Sequence, residues 1–427
     1  MIKVRLLVGV ILLSLAILPV VSCAQPVALE IAKSEKQRVT TPDMNEADLA
    51  ALVDGNTDFA LDLYQTLKER DGNLFYSPYS ISIALAMTYA GARGETEQQM
   101  ADTLHFTLSQ DALHPTFNSL DIQLSRRGEG AKGKDGEGFR LNIVNAIWGQ
   151  KDYAFLSEFL DLLAENYGAG LRILDFASSP EESRITMNNW VSDQTEDRIK
   201  DLIPQGAIDA LTRLVLTNAI YFNAAWQYPF EETATRDGSF YLLDGNEITV
   251  PMMRQTETFS YGEGDGYQAV ELPYDGRELS MVILLPEAGQ FEAFGGSLDA
   301  QRVDGIISGL EEKQVALTMP KFEFELGFSL RETLAAMGMP VAFSGDADLS
   351  GMTGNRDLFI SHVIHKAFIC VDEAGTEAAA ATAVIVAMLA MPEEPIEVTV
   401  DRPFIFLIRD IETDAILFVG RVVNPSA

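Results

Sequence analysis

Apolar residues recur along the chain with two different periods. From Glu46 onward, leucine and phenylalanine return at roughly helical spacing, and Phe155–Tyr167 shows a similar amphipathic pattern. Leu214–Phe222 is instead a nearly continuous apolar run, which is typical of a central strand covered on both of its faces. The pattern therefore predicts amphipathic helices together with strands that are buried within a sheet.

Polar residues mark two positions inside these segments. Ser77 stands directly before Pro78, and this pair predicts a helix start because proline is favoured at the first helical position. Taken alone, Ser77 is then a helix cap and Ser80 an ordinary helix serine. Asn218 interrupts the predicted central strand, where a buried amide without hydrogen-bond partners would cost about 1–3 kcal/mol. We therefore expect Asn218 to be hydrogen-bonded.

The N-terminal end has the pattern of an export signal. Two basic residues precede the apolar run Leu6–Val21, which predicts a signal peptide over residues 1–22. The run ends in a sequence that resembles a prokaryotic lipobox, so Cys23 is expected to become the lipidated first residue of the mature protein. Ordinary cleavage after Ala24 is the alternative. Both alternatives predict an exported protein, either extracellular or held in the cell envelope.

The segment after the signal is polar and contains two prolines. We interpret residues 23–45 as a tether and residues 46–427 as one folded domain. No other stretch of the sequence approaches the ~20 apolar residues of a membrane span. Contact with a membrane is therefore expected only through the lipid anchor.

Charge and cysteine content exclude several classes of function. The formal net charge is −32, and an acidic surface repels phosphate backbones, so nucleic acid is not an expected partner. Cys23 and Cys370 are the only cysteines. We therefore predict neither a disulfide framework nor a zinc cluster.

The sequence also lacks the patterns of a hydrolase or a metalloenzyme. None of its four histidines accompanies a Gly-x-Ser-x-Gly or a His-Glu-x-x-His motif. His362 and His365 lie three residues apart in a predicted strand, so they point to opposite faces and would chelate a metal poorly. We expect no enzymatic activity, no metal site and no cofactor.

The most unusual stretch lies near the C-terminal end. Gly375–Ala383 contains only glycine, threonine, alanine and one glutamate. Alanine is the best helix former, so a short buried helix is one interpretation. If the stretch is instead a strand, every second residue lies on the same face, and the residues on one face are all small or β-branched. This suits a strand that moves into a crowded sheet. Gly375 stands where such a strand would need a hinge. Composition alone leaves both interpretations open.

Glu373–Thr382 resembles the hinge of the reactive loop in inhibitory serpins. Further segments resemble the same family in residue type and order: Asn73–Met87, Gly91–Met100, Asn188–Ile203, Val250–Met253, Ala269–Tyr274, Leu279–Pro286, Met319–Phe322, Leu349–Met352, Asp401–Arg409 and Ile416–Arg421. No single segment is diagnostic, but their order over nearly the whole chain is. The resemblance implies an α+β serpin fold. Its expected parts are a large central mixed β-sheet, two smaller sheets, about eight or nine helices and an exposed reactive loop.

The resemblance also implies a set of site residues. Four of them would form a polar cluster beneath the main sheet, where the sheet opens: Ser77, Ser80, Asn218 and His365. Trp226 would lie at the top of the sheet. The hinge would comprise Glu373, Gly375, Thr376, Glu377, Ala378, Ala379, Ala380, Ala381 and Thr382. Counting from Gly375 as serpins do places the reactive bond between Leu389 and Ala390, although Met388 or Met391 could instead precede it.

The function implied by the resemblance is suicide inhibition of a serine protease. The protease would acylate itself on the loop, and the hinge would then insert into the central sheet and distort the trapped enzyme. Leucine at the reactive bond favours chymotrypsin-like or elastase-like targets over trypsin-like ones. The expected partner is thus a serine protease in a covalent complex with a monomeric inhibitor. A serpin fold that does not inhibit, acting as a binding or storage protein, is the alternative.

Overall fold

The computed structural model describes residues 30–129, 140–376 and 394–426. The helices in these ranges are α1 (Glu46–Leu67), α2 (Pro78–Tyr89), α3 (Gly94–Thr103), α4 (Gln110–Ser125), α5 (Ser157–Tyr167), α6 (Pro180–Gln194), α7 (Phe291–Gly296), α8 (Ala300–Ser308), α9 (Arg331–Met337) and α10 (Ser350–Thr353). None of the helices in the described ranges is long and apolar enough to cross a membrane.

The strands in the same ranges are β1 (Glu30–Ala32), β2 (Leu74–Tyr76), β3 (Arg140–Gln150), β4 (Leu171–Leu174), β5 (Leu214–Ala225), β6 (Arg236–Tyr241), β7 (Glu247–Gly264), β8 (Tyr267–Pro273), β9 (Leu279–Pro286), β10 (Glu311–Pro320), β11 (Phe322–Ser329), β12 (Ile360–Val371), β13 (Gly375–Thr376), β14 (Ile396–Thr399), β15 (Phe404–Asp410) and β16 (Ile416–Val422). Together with the helices, they confirm the predicted α+β class.

The first sheet has seven strands in the order β1-β4-β3-β5-β13-β12-β11. Its central strands β5 and β12 are parallel and pair directly from Leu214 and Ile360 to Tyr221 and Phe368. Beyond that point the short strand β13 lies between them, antiparallel to both. The predicted central strand is therefore correct, and its direct pairing with β12 ends before either strand does.

The second sheet has a nine-stranded network of pairings. Two smaller sheets were expected, but the 18-residue strand β7 pairs with β10, β6 and β8 and so joins them into one. The described part of the chain contains ten helices where about eight or nine were expected, because turns as short as Ser350–Thr353 are helical.

Helix α2 lies between the two sheets, where it contacts β3, β5 and β16. Every one of its residues is buried, as expected for a helix that is apolar on all sides. Ser77 caps it by accepting a hydrogen bond from the Ser80 amide, and Pro78 is its first residue. The predicted helix start is confirmed, and it places both serines beneath the seven-stranded sheet.

Two segments differ from the expectations. The resemblance of Asn188–Ile203 to a helix of the serpin family implied a helix over this segment, but α6 ends at Gln194, and the Asn188 side chain instead bonds both backbone groups of Ile203. The tether interpretation is wrong for residues 30–39. This part of the chain adds strand β1 to the seven-stranded sheet and forms ion pairs with α4 and α5. The folded unit therefore begins before residue 46.

Candidate functional site

The first residues of the predicted hinge lie inside the seven-stranded sheet. Gly375 pairs with Ala225 of β5, and Thr376 pairs with Ala224 of β5 and with Val371 of β12. A Cβ atom on Gly375 would lie 2.2 Å from the carbonyl oxygen of Ala224, so a larger residue could enter only if the strands moved apart. Glycine is needed here because the two backbones approach so closely.

Thr376 is completely buried. Its hydroxyl lies 3.0 Å from the hydroxyl of Tyr274, so the two groups are hydrogen-bonded to each other. The site accepts a side chain of this size and polarity. A long or charged side chain would have to break that hydrogen bond and displace the neighbouring strand.

Trp226 lies at the end of β5 and binds the turn between β12 and β13. Its indole N–H donates to the Asp372 carbonyl at 3.0 Å, and its backbone N–H donates to the Ala374 carbonyl at 2.9 Å. The indole stacks on Tyr274, with ring centroids 4.7 Å apart and planes 7° from parallel. Trp226 therefore fixes the turn that leads into β13.

Glu373 is held by two side chains in this turn. Lys321 Nζ lies 2.6 Å from one carboxylate oxygen, and the Thr235 hydroxyl donates to the other at 2.7 Å. Burial alone would raise the pKa of Glu373, but the hydrogen bonds from Lys321 and Thr235 outweigh it and lower that pKa. The neighbouring Asp372 has a raised pKa, because burial outweighs the backbone hydrogen bonds from Ala374 and Gly375.

The four predicted cluster residues come together beneath the same sheet, and all four are completely buried. The Asn218 amide donates to the Ser80 hydroxyl at 2.5 Å, and its oxygen is bonded to His365 Nδ1. Ser77 donates its backbone N–H to His365 Nε2 at 3.4 Å. Because Asn218 lies on β5 and His365 on β12, the cluster bonds the two strands to each other and to α2.

The hydrogen bonds define the protonation state of His365. Nε2 accepts from Ser77, so the single ring proton lies on Nδ1 and is donated to Asn218. Burial lowers the pKa of His365 to about 3, so the imidazole is neutral. A second proton, on Nε2, would leave this nitrogen unable to accept the hydrogen bond from Ser77, and two N–H groups would then face each other. The cluster therefore requires the neutral ring.

Sequence reasoning missed several residues of the site. Asn145 on β3 accepts from Asn218 at 2.5 Å and donates to the Ser80 carbonyl at 3.1 Å. Its signal was a polar residue within an apolar strand, the same signal that singled out Asn218. Lys321 and Thr235 gave no such signal, since charged and hydroxyl side chains near loops are common.

Part of the predicted site lies outside the described residues. This part comprises Glu377, Ala378, Ala379, Ala380, Ala381 and Thr382 of the hinge, the reactive-bond residues Leu389 and Ala390 with the alternatives Met388 and Met391, and the lipidation residue Cys23. Within residues 30–129, 140–376 and 394–426, no group of three or more His, Cys, Asp or Glu side chains is placed to hold a metal ion.

The arrangement permits a strand to be added. Strands β5 and β12 are separated at one end by β13, and they pair directly only over residues 214–221 and 360–368. Extending β13 would require that direct pairing to open, residue by residue, as far as the bond between Asn218 and His365. New ladder hydrogen bonds on both edges of the added strand would replace the broken ones.

Comparison with known proteins agrees with this geometry. The family model "Serpin (serine protease inhibitor)" matches residues 54–425. A serpin-like protein of Thermococcus kodakarensis is 42% identical over 90% of this chain and 88% of its own length. A leukocyte elastase inhibitor of Bos taurus is 44% identical over 87% of this chain and 98% of its own length.

Among solved structures, the thermophilic serpin tengpin in its native state superposes with a TM-score of 0.82 and 29% identity. The match covers 93% of this chain and all of tengpin. The family match, the relatives and the fold agree with the motif order in the sequence, and they show that this chain belongs to the serpin family.

Proposed function

We propose that the protein inhibits chymotrypsin-like or elastase-like serine proteases by suicide trapping. The observation that carries this proposal is the position of Gly375 and Thr376, which already lie between β5 and β12. Apart from Glu377, small residues continue from this point in the sequence as far as Ala383. Loop insertion in serpins is a known example of strand addition to a sheet. Inhibition also fits the leukocyte elastase inhibitors among the relatives.

The chemistry begins as ordinary proteolysis. The protease serine oxygen attacks the Leu389 carbonyl carbon, the bond from Leu389 to the nitrogen of Ala390 breaks, and the amine leaves with the proton relayed by the protease histidine. Leu389 is then an ester of the protease. The hinge is freed at its C-terminal side and carries the acylated protease with it as it inserts.

The energy available from insertion is sufficient to distort an enzyme. About a dozen inserted residues would form ladder hydrogen bonds on both sides, at about 0.5–1.5 kcal/mol net for each bond. The gain is on the order of 10 kcal/mol, which matches the total stability of about 5–15 kcal/mol of a typical domain. A protease whose active site is distorted in this way cannot complete the hydrolysis of its ester.

We further propose that the mature protein is exported and anchored through a lipid on Cys23. The proposal rests on the signal pattern before Cys23 in the sequence. Mass spectrometry of the N-terminal peptide tests it: a diacylglyceryl mass on Cys23 supports the anchor, and a free N-terminus at Gln25 supports ordinary cleavage.

Incubation with chymotrypsin tests the inhibition. We expect a covalent complex that survives denaturing detergent, together with release of the fragment Ala390–Ala427. The mass of the released fragment identifies the reactive bond, because a bond after Met388 or Met391 gives a different N-terminus. Complete cleavage of the loop with no complex and full recovery of chymotrypsin activity would contradict the proposal.

A further inference from the structure

A pocket of about 620 Å³, here named the turn pocket, opens at one edge of the second sheet. It lies between three segments: the turn from β6 to β7, the loop from β9 into α7, and the residues that connect β14 to β15. Pockets of about 300–1,000 Å³ are the usual size for small-molecule sites. None of the described residues of the hinge or the polar cluster lines it. The turn pocket is therefore a separate candidate site.

Hydrogen bonds between the three segments hold the walls of the turn pocket in place. The Arg402 Nε–H donates to the Pro286 carbonyl at 2.8 Å and so joins the connection before β15 to the end of β9. The Tyr241 N–H donates to the Asp401 carbonyl at 2.8 Å and joins the same connection to the end of β6. Because these bonds form within the protein itself, a ligand would meet a pocket whose walls are already ordered, which lowers the cost of binding.

Much of the lining of the turn pocket is apolar. Pro286, Phe291 and Pro403 are buried lining residues. Seven large apolar side chains of the described ranges are exposed, and two of them, Tyr241 and Leu243, line this pocket with exposed fractions of 45% and 52%. Exposed apolar side chains that gather at one place mark an interaction site, whereas scattered ones are ordinary. The apolar part of a ligand would be bound here.

The charges around the turn pocket favour a cation. Arg402 is the only cation among its described lining residues, and Arg402 Nη1 lies 2.9 Å from a carboxylate oxygen of Asp401. Glu287 and Glu292 also line the pocket, and both are exposed. Neither forms an ion pair with another residue of the described ranges. Three carboxylates thus stand against one guanidinium that is already engaged.

Two further features act in the same direction. The net charge of the chain is −32, so its overall field attracts cations and repels anions. The exposed ring of Tyr241 adds a local attraction, because a cation within about 6 Å of an aromatic ring is drawn to its face. An apolar anion would have neither advantage.

A second pocket of about 400 Å³ shares Leu243, Phe291 and Glu292 with the turn pocket. Its other charged residues include three cations and two acids: Lys68, Arg70, Arg421, Glu69 and Asp71. A cationic group would be repelled there. The excess of carboxylates is confined to the turn pocket, which therefore determines where the charge of a ligand would lie.

We propose that the turn pocket binds small molecules that combine an apolar body with one ammonium group. The apolar body packs against Phe291 and Tyr241, and the ammonium group donates hydrogen bonds to the carboxylate of Glu287 or Glu292. This binding uses none of the described residues on which the proposed inhibition rests. The two proposals are therefore tested independently.

Fluorescence titration of the full chain with three matched dyes tests the charge preference. Dansylcadaverine carries a primary amine on an apolar body, and a hydroxyl or a carboxylate replaces that amine in its two analogues. We expect dansylcadaverine to bind with increased emission, the alcohol to bind about tenfold more weakly, and the acid not to bind. Equal affinities of the amine and the alcohol would overturn the proposal.

Charge variants identify the carboxylates that contact the amine. Glu287→Gln and Glu292→Gln together should weaken dansylcadaverine binding by about twofold to fivefold or more, as expected for exposed ion pairs. Glu332→Gln is the matched control, because Glu332 is an exposed glutamate of α9 that does not line the pocket and the change in charge is the same for each substitution. Undiminished binding by the Glu287 and Glu292 double variant would overturn the assignment of the ammonium group.

Filling the turn pocket tests the location. Ala288 is an exposed lining residue, so Ala288→Trp adds bulk to the pocket without entering the core. We expect this variant to unfold at the parental temperature and to lose detectable dansylcadaverine binding. Ala293→Trp, at an exposed position of α7 outside the pocket, should bind as the parent does. Parental binding by Ala288→Trp, or no binding of dansylcadaverine to the parent, would overturn the proposal.

Discussion

At the scale of single residues, His365 makes the stability of the protein depend on pH. Its pKa is about 3 in the folded state, far below the ordinary value of 6.5, because the ring is buried and neutral. The unfolded chain therefore binds a proton that the folded chain does not over the range from about pH 6.5 to about pH 3. Stability is complete above that range and falls as the pH decreases through it.

Replacing His365 with glutamine should remove this dependence. As the pH is lowered from 6 to 4, the free energy of unfolding should fall more steeply in the parent than in His365→Gln. The difference between the two slopes should be about 1.4 kcal/mol per pH unit. Urea denaturation at several pH values measures both slopes. His114→Gln is the comparison, since burial also lowers the pKa of His114, to about 4. Equal slopes in the parent and His365→Gln would mean that the ring is not held neutral.

Glu373 is the second residue for which the structure gives a direct prediction. Glu373→Ala removes the bonds to Lys321 and Thr235 and leaves a largely buried position without its anion. We expect a loss of about 1.5–3 kcal/mol, the value of hydrogen bonds to a charged group. The matched control is Glu323→Ala, on an exposed position of the adjacent strand β11. If both variants unfold at the same urea concentration, the bonds from Glu373 to Lys321 and Thr235 contribute nothing to the stability of the fold.

At the scale of elements, the two residues of β13 determine what the hinge can do. Thr376→Arg should convert the protein from an inhibitor to a substrate, because a long cation cannot occupy the buried site beside Tyr274. Cleavage by chymotrypsin should continue at a similar rate, while the covalent complex disappears. Thr376→Val, which keeps the shape and loses only the hydroxyl, should still form the complex. Persistent complex formation by Thr376→Arg would refute the insertion step.

The elements that the sequence predicted well are those with strong local signals. The start of α1 at Glu46 and the cap of α2 at Ser77 follow from spacing and from the Ser-Pro pair. The central strand Leu214–Ala225 follows from its apolar run. The end of α6 at Gln194 did not follow, because the bonds between Asn188 and Ile203 depend on tertiary packing.

The site shows the same division. Buried polar residues inside apolar strands identify themselves, so Asn218 could be found, and Asn145 could have been found by the same argument. Residue type alone could not reveal that Lys321 and Thr235 meet Glu373 across three separate segments. The polar composition of residues 23–45 suggested a tether, because residue type alone does not reveal that residues 30–39 pair with β4 and form ion pairs with α4 and α5.

At the scale of the whole molecule, the central claim is that the intact protein is held short of its most stable state. In the proposed mechanism, the loop lengthens β13 between β5 and β12. In the intact protein, these two strands pair directly with each other over residues 214–221 and 360–368. In the proposed mechanism, cleavage frees one end of the loop and so allows it to insert there. Cleavage should therefore make the protein more stable, whereas most proteins lose stability when a loop is cut.

Thermal denaturation before and after cleavage at the reactive bond tests this claim most directly. The loop is cut with a small amount of a metalloprotease, which forms no acyl-enzyme and is therefore not trapped. The protease is removed, and unfolding of both forms is followed by circular dichroism. We predict that the cut protein unfolds about 10–20 °C above the intact one, since each kcal/mol shifts Tm by about 1–2 °C in a chain of this size and the gain is on the order of 10 kcal/mol. A cut protein that unfolds at or below the temperature of the intact one would contradict the account.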